Sequence, residues 1–158
     1  MSPRAARKLA LDELPGLVGT RLGVSDPVRV TQERINQFAD ATGDHQWIHV
    51  DVERAAKGPF GSTIAHGYLT LSLGPMLLAQ VLEVTDAAQV INYGLNRLRF
   101  PSPVPVDSEV ALTVDLTSVD EVPGGYQLTI QGTFLAGGQP KPVCVAEIVF
   151  RFYRRQDG

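Results

Sequence analysis

All three histidines of the chain, His45, His49 and His66, lie within 22 positions, and Asp44 and Asp51 stand among the first two. A carboxylate and an imidazole that converge on one water can make it a nucleophile and take up the proton it releases. Histidine suits that task because its ordinary pKa lies near neutrality. Asp44 and His49, enclosed between Gly43 and Asp51, form the tightest such pair. The same residues admit a metal reading, with His45 and His49 four apart and Asp44, Asp51 and His66 to complete a shell. That reading needs a helix through Asp44–His49, whereas Gly43 breaks the preceding helix and Trp47-Ile48-His49-Val50 reads as extended. Metal is therefore the weaker of the two. Each residue also has a plain structural role open to it: Asp44 as a turn cap, His45 on the surface, His66 as a helix cap or loop tie.

An acid–base pair acting on a carbonyl compound needs a donor for the developing oxyanion. The segment Ile64-Ala65-His66-Gly67 leads into a long apolar run, and the first amides of a helix point outward with partial positive charge. Gly67 has no side chain to obstruct a close approach, so its N–H is the candidate donor.

These residues need elements to hold them. Ile35, Phe38, Ala39 and Ala41 recur at helical spacing over Thr31–Thr42, with Thr31 as N-cap, Glu33 in the first turn and Gly43 as terminator. The run HGYLTLSLGPMLLAQVL is apolar on nearly every side, so it must be buried all round, and Pro75 should kink or restart it. The second half alternates with period two. Val110, Leu112, Val114 and Leu116 form one inward face, Tyr126, Leu128, Ile130 and Phe134 another, and Cys144, Ala146, Ile148, Phe150 and Phe152 a third. Asp120–Gly125 should close the first hairpin, and Val90–Phe100 is a further strand whose alternation slips near Asn96, the sign of a bulge. Antiparallel strands with segregated helices mean an α+β fold, with one sheet around one buried helix.

Length and composition agree. The 158 residues make a single domain, 1–158, with 1–15 read as a loosely ordered N-terminal segment. A 44% hydrophobic and 20% charged composition excludes wholesale disorder. A net charge of −3 gives no field for nucleic acid, and the single Cys144 rules out an internal disulfide framework. The longest apolar stretch, Tyr68–Leu82, is too short and too interrupted to span a bilayer. The basic N-terminus is cut by Asp12, Glu13 and Pro15 before a signal core could form, so a cytoplasmic location is expected.

The stretch FADATGDHQWIHVDVERA, followed by FGSTIAHGYLTLSLGP, resembles the signature of the MaoC-like, (R)-specific enoyl-CoA hydratases. That hydratase-2 motif runs aromatic, spacer, small residue, Gly-Asp-x-Asn-Pro-aliphatic-His, then a small residue six positions on. Phe38, Thr42, Gly43, Asp44, Ile48, His49 and Ala55 match it. Gln46 and Trp47 replace its Asn and Pro, Ala41 replaces a larger aliphatic, and GDHQWIHVD is similar to the NodN-like branch. The likeness covers roughly Val24–Tyr153, through INYGLNRLRFPSPVPVDSEV.

The resemblance implies a hot-dog fold, Asp44 and His49 as the catalytic dyad and Gly67 as the oxyanion amide, with Ser72 as a polar group nearby. It implies reversible hydration of a trans-2-enoyl-CoA to an (R)-3-hydroxyacyl-CoA without metal or redox cofactor, coenzyme A entering only as part of the substrate. Gln46 can supply the amide groups of the replaced Asn, and His66 adjoins the oxyanion segment. Arg97, Arg99, Arg54 and Lys57 are the candidates for the coenzyme A phosphates. Family members of this length pair as homodimers, edge to edge. An acyl-carrier-protein thioester is the other carrier this implies, and neither nucleic acid nor membrane is an expected partner. A hot-dog thioesterase and a non-catalytic acyl-thioester binder are the competing functions.

Overall fold

The computed structural model describes residues 2–156, so residues 1, 157 and 158 of the expected 1–158 domain lie outside the described residues. In chain order it contains β1 (Arg7–Leu9), a 3-10 turn (Leu11–Leu17), β2 (Arg21–Val24), β3 (Val28–Arg29), α1 (Gln32–Thr42), α2 (Trp47–Val50) and α3 (Val52–Ala56). Then follow α4 (Gly67–Ser72), α5 (Gly74–Ala79), β4 (Leu82–Val84), β5 (Ala87–Arg99), β6 (Glu109–Val122), β7 (Gly125–Ala136) and β8 (Cys144–Arg154).

The main sheet has the order β2-β6-β7-β8-β5, with β3 also on β6, and every pairing is antiparallel. Its three long central strands present the faces the alternation predicts. Val110, Leu112, Val114 and Leu116 are buried on β6, Leu128, Ile130 and Phe134 on β7, and Cys144 through Phe152 at every second position on β8. They close over Leu69, Leu73, Leu77 and Leu78 of the helical segment in one core. This is the hot-dog arrangement, an α+β fold. Pro75 restarts the buried helix: α4 ends at Ser72, Leu73 makes a turn, and α5 begins with the proline in its first turn, where no N–H is missed. The bulge near Asn96 is present, because Leu95 pairs Ile148 while Arg97 pairs the adjacent Glu147. Two further register slips, between Ala87 and Gln89 and between Asn92 and Gly94, bend the same strand.

Two expectations are corrected. Within the segment 1–15, residues 7–14 are not loose: β1 pairs in parallel with β4, and Leu11 and Leu14 are fully buried. Apolar side chains every third residue, with the Ala10 N–H donating to the Glu13 carboxylate at 2.7 Å, dock this segment on the core. Residues Trp47–Val50 are also not extended but one helical turn, closed by His49 N–H to Gln46 O and Asp51 N–H to Trp47 O, both at 3.0 Å. β-Branched residues favour strands only weakly, and the turn observed here buries His49.

Candidate active site

The site is built where α1, α2 and α4 meet. Thr31 caps α1 by accepting the Arg34 N–H, and Gly43 ends it in the left-handed region at φ 80°, its N–H returning to Ala39 O at 2.8 Å. That reversal turns the chain toward the start of α4 and leaves the Asp44 side chain exposed at its mouth. His49 follows on α2, buried, with its ring Nδ1 2.7 Å from the carbonyl of Ile64. A carbonyl only accepts, so Nδ1 carries the proton and Nε2 presents its lone pair. The backbone is tied in parallel: Ile64 N–H donates to Ile48 O at 3.0 Å, and the Gln32 side-chain amide donates to His49 O at 2.8 Å. Gln32 is itself held by the Thr63 hydroxyl. Burial is the largest influence on His49 and lowers its pKa from 6.5, with His66 acting in the same direction and the Ile64 bond and Asp44 opposing.

His66, also buried, stacks on His49 with ring centroids 3.8 Å apart. Asp44, His49 and His66 each bring one ligand-type atom within 4.8 Å of the others, so this trio could hold a cation. The wider shell of the weaker metal reading, with His45 and Asp51, does not gather around this trio. His45 turns outward to Asp40, 2.9 Å away, and the Asp51 carboxylate caps α3 by accepting the Arg54 N–H at 3.0 Å.

Asp44, His49, His66 and Gly67 line one open pocket of about 470 Å³, together with Phe38, Thr42, Tyr68 and Phe100. Among the described residues no acceptor takes the Gly67 N–H, the first of α4. A Cβ at Gly67 would stand 3.0 Å from the Phe100 ring, so only glycine leaves this wall as it is.

The remaining candidates fall elsewhere. Ser72 donates to Tyr68 O at 2.6 Å and lines a separate cleft of about 350 Å³ with Leu71, Pro75 and Ile148, one helical turn beyond the pocket. Gln46 is exposed and serves through its backbone as the N-cap of α2. Arg54 lies over the Trp47 ring at 4.2 Å, and Lys57 ends α3. Arg97 and Arg99 line a separate hollow of about 380 Å³ with Gln131 and Glu147, which shares no lining residue with the site pocket; they pair Glu147 and Val145, the outward positions of β8. Sequence reasoning missed three contributors as site residues: Phe100 and Tyr68, which carry no chemical signature, and Gln32, whose amide acts from a helix start in an otherwise ordinary solvated position.

The family described as "MaoC like domain" matches residues 14–130. The chain is 52% identical over 141 residues to 3-hydroxyacyl-thioester dehydratase Z of Mycobacterium tuberculosis, covering 89% of this chain and 93% of that protein. It is 49% identical over 105 residues to nodulation protein N of Rhizobium leguminosarum bv. viciae, 65% of each chain. Among solved structures, the (R)-hydratase from A. caviae involved in PHA biosynthesis superposes with a TM-score of 0.70 at 28% identity, covering 84% of this chain and 94% of that one.

Proposed function

The chain belongs to the MaoC-like domain family and is a hydro-lyase, and on that premise we propose that it interconverts a trans-2-enoyl thioester and an (R)-3-hydroxyacyl thioester. The observation that carries this reading is the convergence of Asp44, His49 and the Gly67 N–H on one open pocket. In the hydration direction His49 Nε2 and the Asp44 carboxylate both accept hydrogen bonds from one water. As its oxygen bonds to C3, His49 takes a proton and the π electrons move through C2 onto the thioester oxygen. The Gly67 N–H meets that oxygen, and a proton from the dyad then reaches C2. The thioester is itself the electron sink, so the scheme requires neither a metal nor a redox cofactor. In the reverse direction the same groups remove the C2 proton and return the hydroxyl as water.

Coenzyme A is the carrier this reading favours and acyl-carrier protein the alternative, with Arg97 and Arg99, in their own hollow on the outward face of the sheet, as candidates for the coenzyme A phosphates. The working unit is a homodimer. β5 is a sheet edge of 13 residues whose Val90, Ile91, Tyr93 and Leu95 are 42–56% exposed, an arrangement monomeric proteins avoid. Among the described residues no helix is long and apolar enough to cross a membrane. A cytoplasmic location goes with this reading, and the lone cysteine, Cys144, is free and buried.

The test is the ultraviolet absorbance of crotonyl-CoA and of a longer enoyl-CoA with the protein and with Asp44→Asn. The conjugated band should fade with the wild type and persist with the variant, turnover falling about 10²- to 10⁴-fold. Melting temperature should hold, because the Asp44 carboxylate is 54% exposed. Release of free thiol would assign a thioesterase instead, and binding without loss of either band would refute the dyad.

A further inference from the structure

We propose that His66 is a positioning residue that fixes Asp44 through its backbone. The proposal rests on the reading of Asp44 and His49 as the reacting groups. His66 is 3% exposed and caps α4, its own carbonyl accepting from Leu69 and Thr70, so its ring starts from a rigid base. Its Nε2 lies 2.9 Å from the Asp44 carbonyl and therefore donates to it. One face of the ring stacks on His49 at 3.8 Å with 23° between planes, and Phe38 packs at 4.9 Å.

The two members of the dyad depend on His66 unequally. His49 has its own supports, the Ile64 carbonyl on its ring and Gln32 on its backbone. Asp44 sits in the loop after Gly43 with an exposed side chain; its carboxylate takes a long 3.4 Å bond from the Gln46 N–H, and its Oδ2 lies 4.0 Å from His66 Nε2. Among the described residues, His66 is the side chain from another element that bonds to Asp44. A carboxylate that must share one water with His49 needs its position fixed to a fraction of an ångström, and 1 Å of drift costs about 100-fold. The ring stack brings that hydrogen bond and the His49 base into one rigid unit.

The substitutions separate donor from bulk. Gln reaches about as far as Nε2 and can donate, Asn is too short, and Phe keeps the stack without a donor. His66→Phe and His66→Asn should lower kcat about 30- to 100-fold with KM within about threefold. His66→Gln should stay within about fivefold of wild type. An activity-free readout runs beside these: the ¹⁵N relaxation order parameter of the Asp44 amide. It should fall from about 0.85 toward about 0.6 in His66→Asn and hold in His66→Gln. Equal impairment in Gln and Asn variants, or kcat in Asn within about twofold of wild type, would overturn the proposal. So would an unchanged order parameter in the Asn variant. Should His66→Phe fail to fold, the two polar variants decide. If the wild type hydrates no enoyl thioester, the functional reading falls while the order parameter still judges the positioning.

Discussion

Gly67→Ala places one methyl group at the junction of the oxyanion amide and the pocket wall. The new Cβ would stand 3.0 Å from Cδ2 and Cε2 of Phe100 and 3.1 Å from its Cγ, where ordinary contact begins at 3.4 Å. The ring must therefore retreat by about 0.4 Å, and it can, because Phe100 is 40% exposed and its ring meets Tyr68 edge-on at 6.0 Å. Gly67 is not in the left-handed region, so alanine takes its backbone without strain. Two opposing stability effects follow. Crowding costs about 1 kcal/mol, the low end for overpacking, because the ring yields. Alanine over glycine in a helix returns up to about 1 kcal/mol. The melting temperature should consequently move by less than about 3 °C. Activity should not be spared: the methyl group and the displaced ring both intrude where the thioester oxygen must reach the amide, and kcat/KM should fall about 10- to 100-fold. Parallel thermal melts and enoyl-CoA hydration rates measure both quantities. Adding Phe100→Ala removes the ring contact and separates its share from that of the methyl group. A variant that melts normally and retains activity within about twofold would refute the assignment of Gly67 as the oxyanion donor.

The pH profile offers a second check. Burial lowers the His49 pKa from 6.5, so the acid limb of kcat/KM should have its midpoint below 6.5, and a midpoint above that value would contradict His49 as the buried base. The stability linkage has the matching sign: unfolded His49 binds a proton first as pH falls. Its contribution is thus intact above 6.5 and is lost as pH drops through the lower folded value, a loss that His49→Gln should abolish in melts run against pH. The edge strand makes a third. Light scattering should report a dimer for the wild type and a monomer for Ile91→Lys with Tyr93→Lys, since lysine on an edge opposes pairing, and a monomeric wild type would end the dimer reading.

Much of this molecule was legible because its signals are periodic. The core-facing residues Val110 to Leu116 of β6 and Cys144 to Phe152 of β8 recur with a period of two that needs only a handful of residues to recognise, and the slip at Asn96 marks itself by breaking the alternation of β5. Thr31 and Gly43 bracket α1 because capping is local chemistry. The turn Trp47–Val50 escaped because four residues are too few to show a helical period, and its β-branched composition pointed the other way. The parallel β1–β4 pair escaped because nothing in three residues announces a partner about 75 positions away. In the site, spacing and residue type were enough to single out Asp44, His49 and Gly67. What spacing could not tell was direction: His45 turns out to Asp40, Ser72 folds back on Tyr68, and His66 faces the Asp44 carbonyl. Those outcomes depend on how loops dock, which no local pattern encodes.

The pairing of β2 and β3 with β6 has a bearing on how the protein comes to exist at all. Arg21 meets Asp115 and Val28 meets Val110, so strands made early in synthesis wait for one made some 80 to 95 residues later. The helices that hold His49 and Gly67, and the loop that holds Asp44, lie inside that interval, and the helices bury their apolar side chains against β6, β7 and β8. Loop closure of that length is entropically slow, so folding should be rate-limited by the return of β6 and not by any helix. On the ribosome the dyad and its oxyanion amide emerge first yet stay unassembled until the last strand clears the exit tunnel, and a nascent chain stopped near residue 108 should present the Leu69–Leu78 apolar segment to chaperones instead of a half-built enzyme.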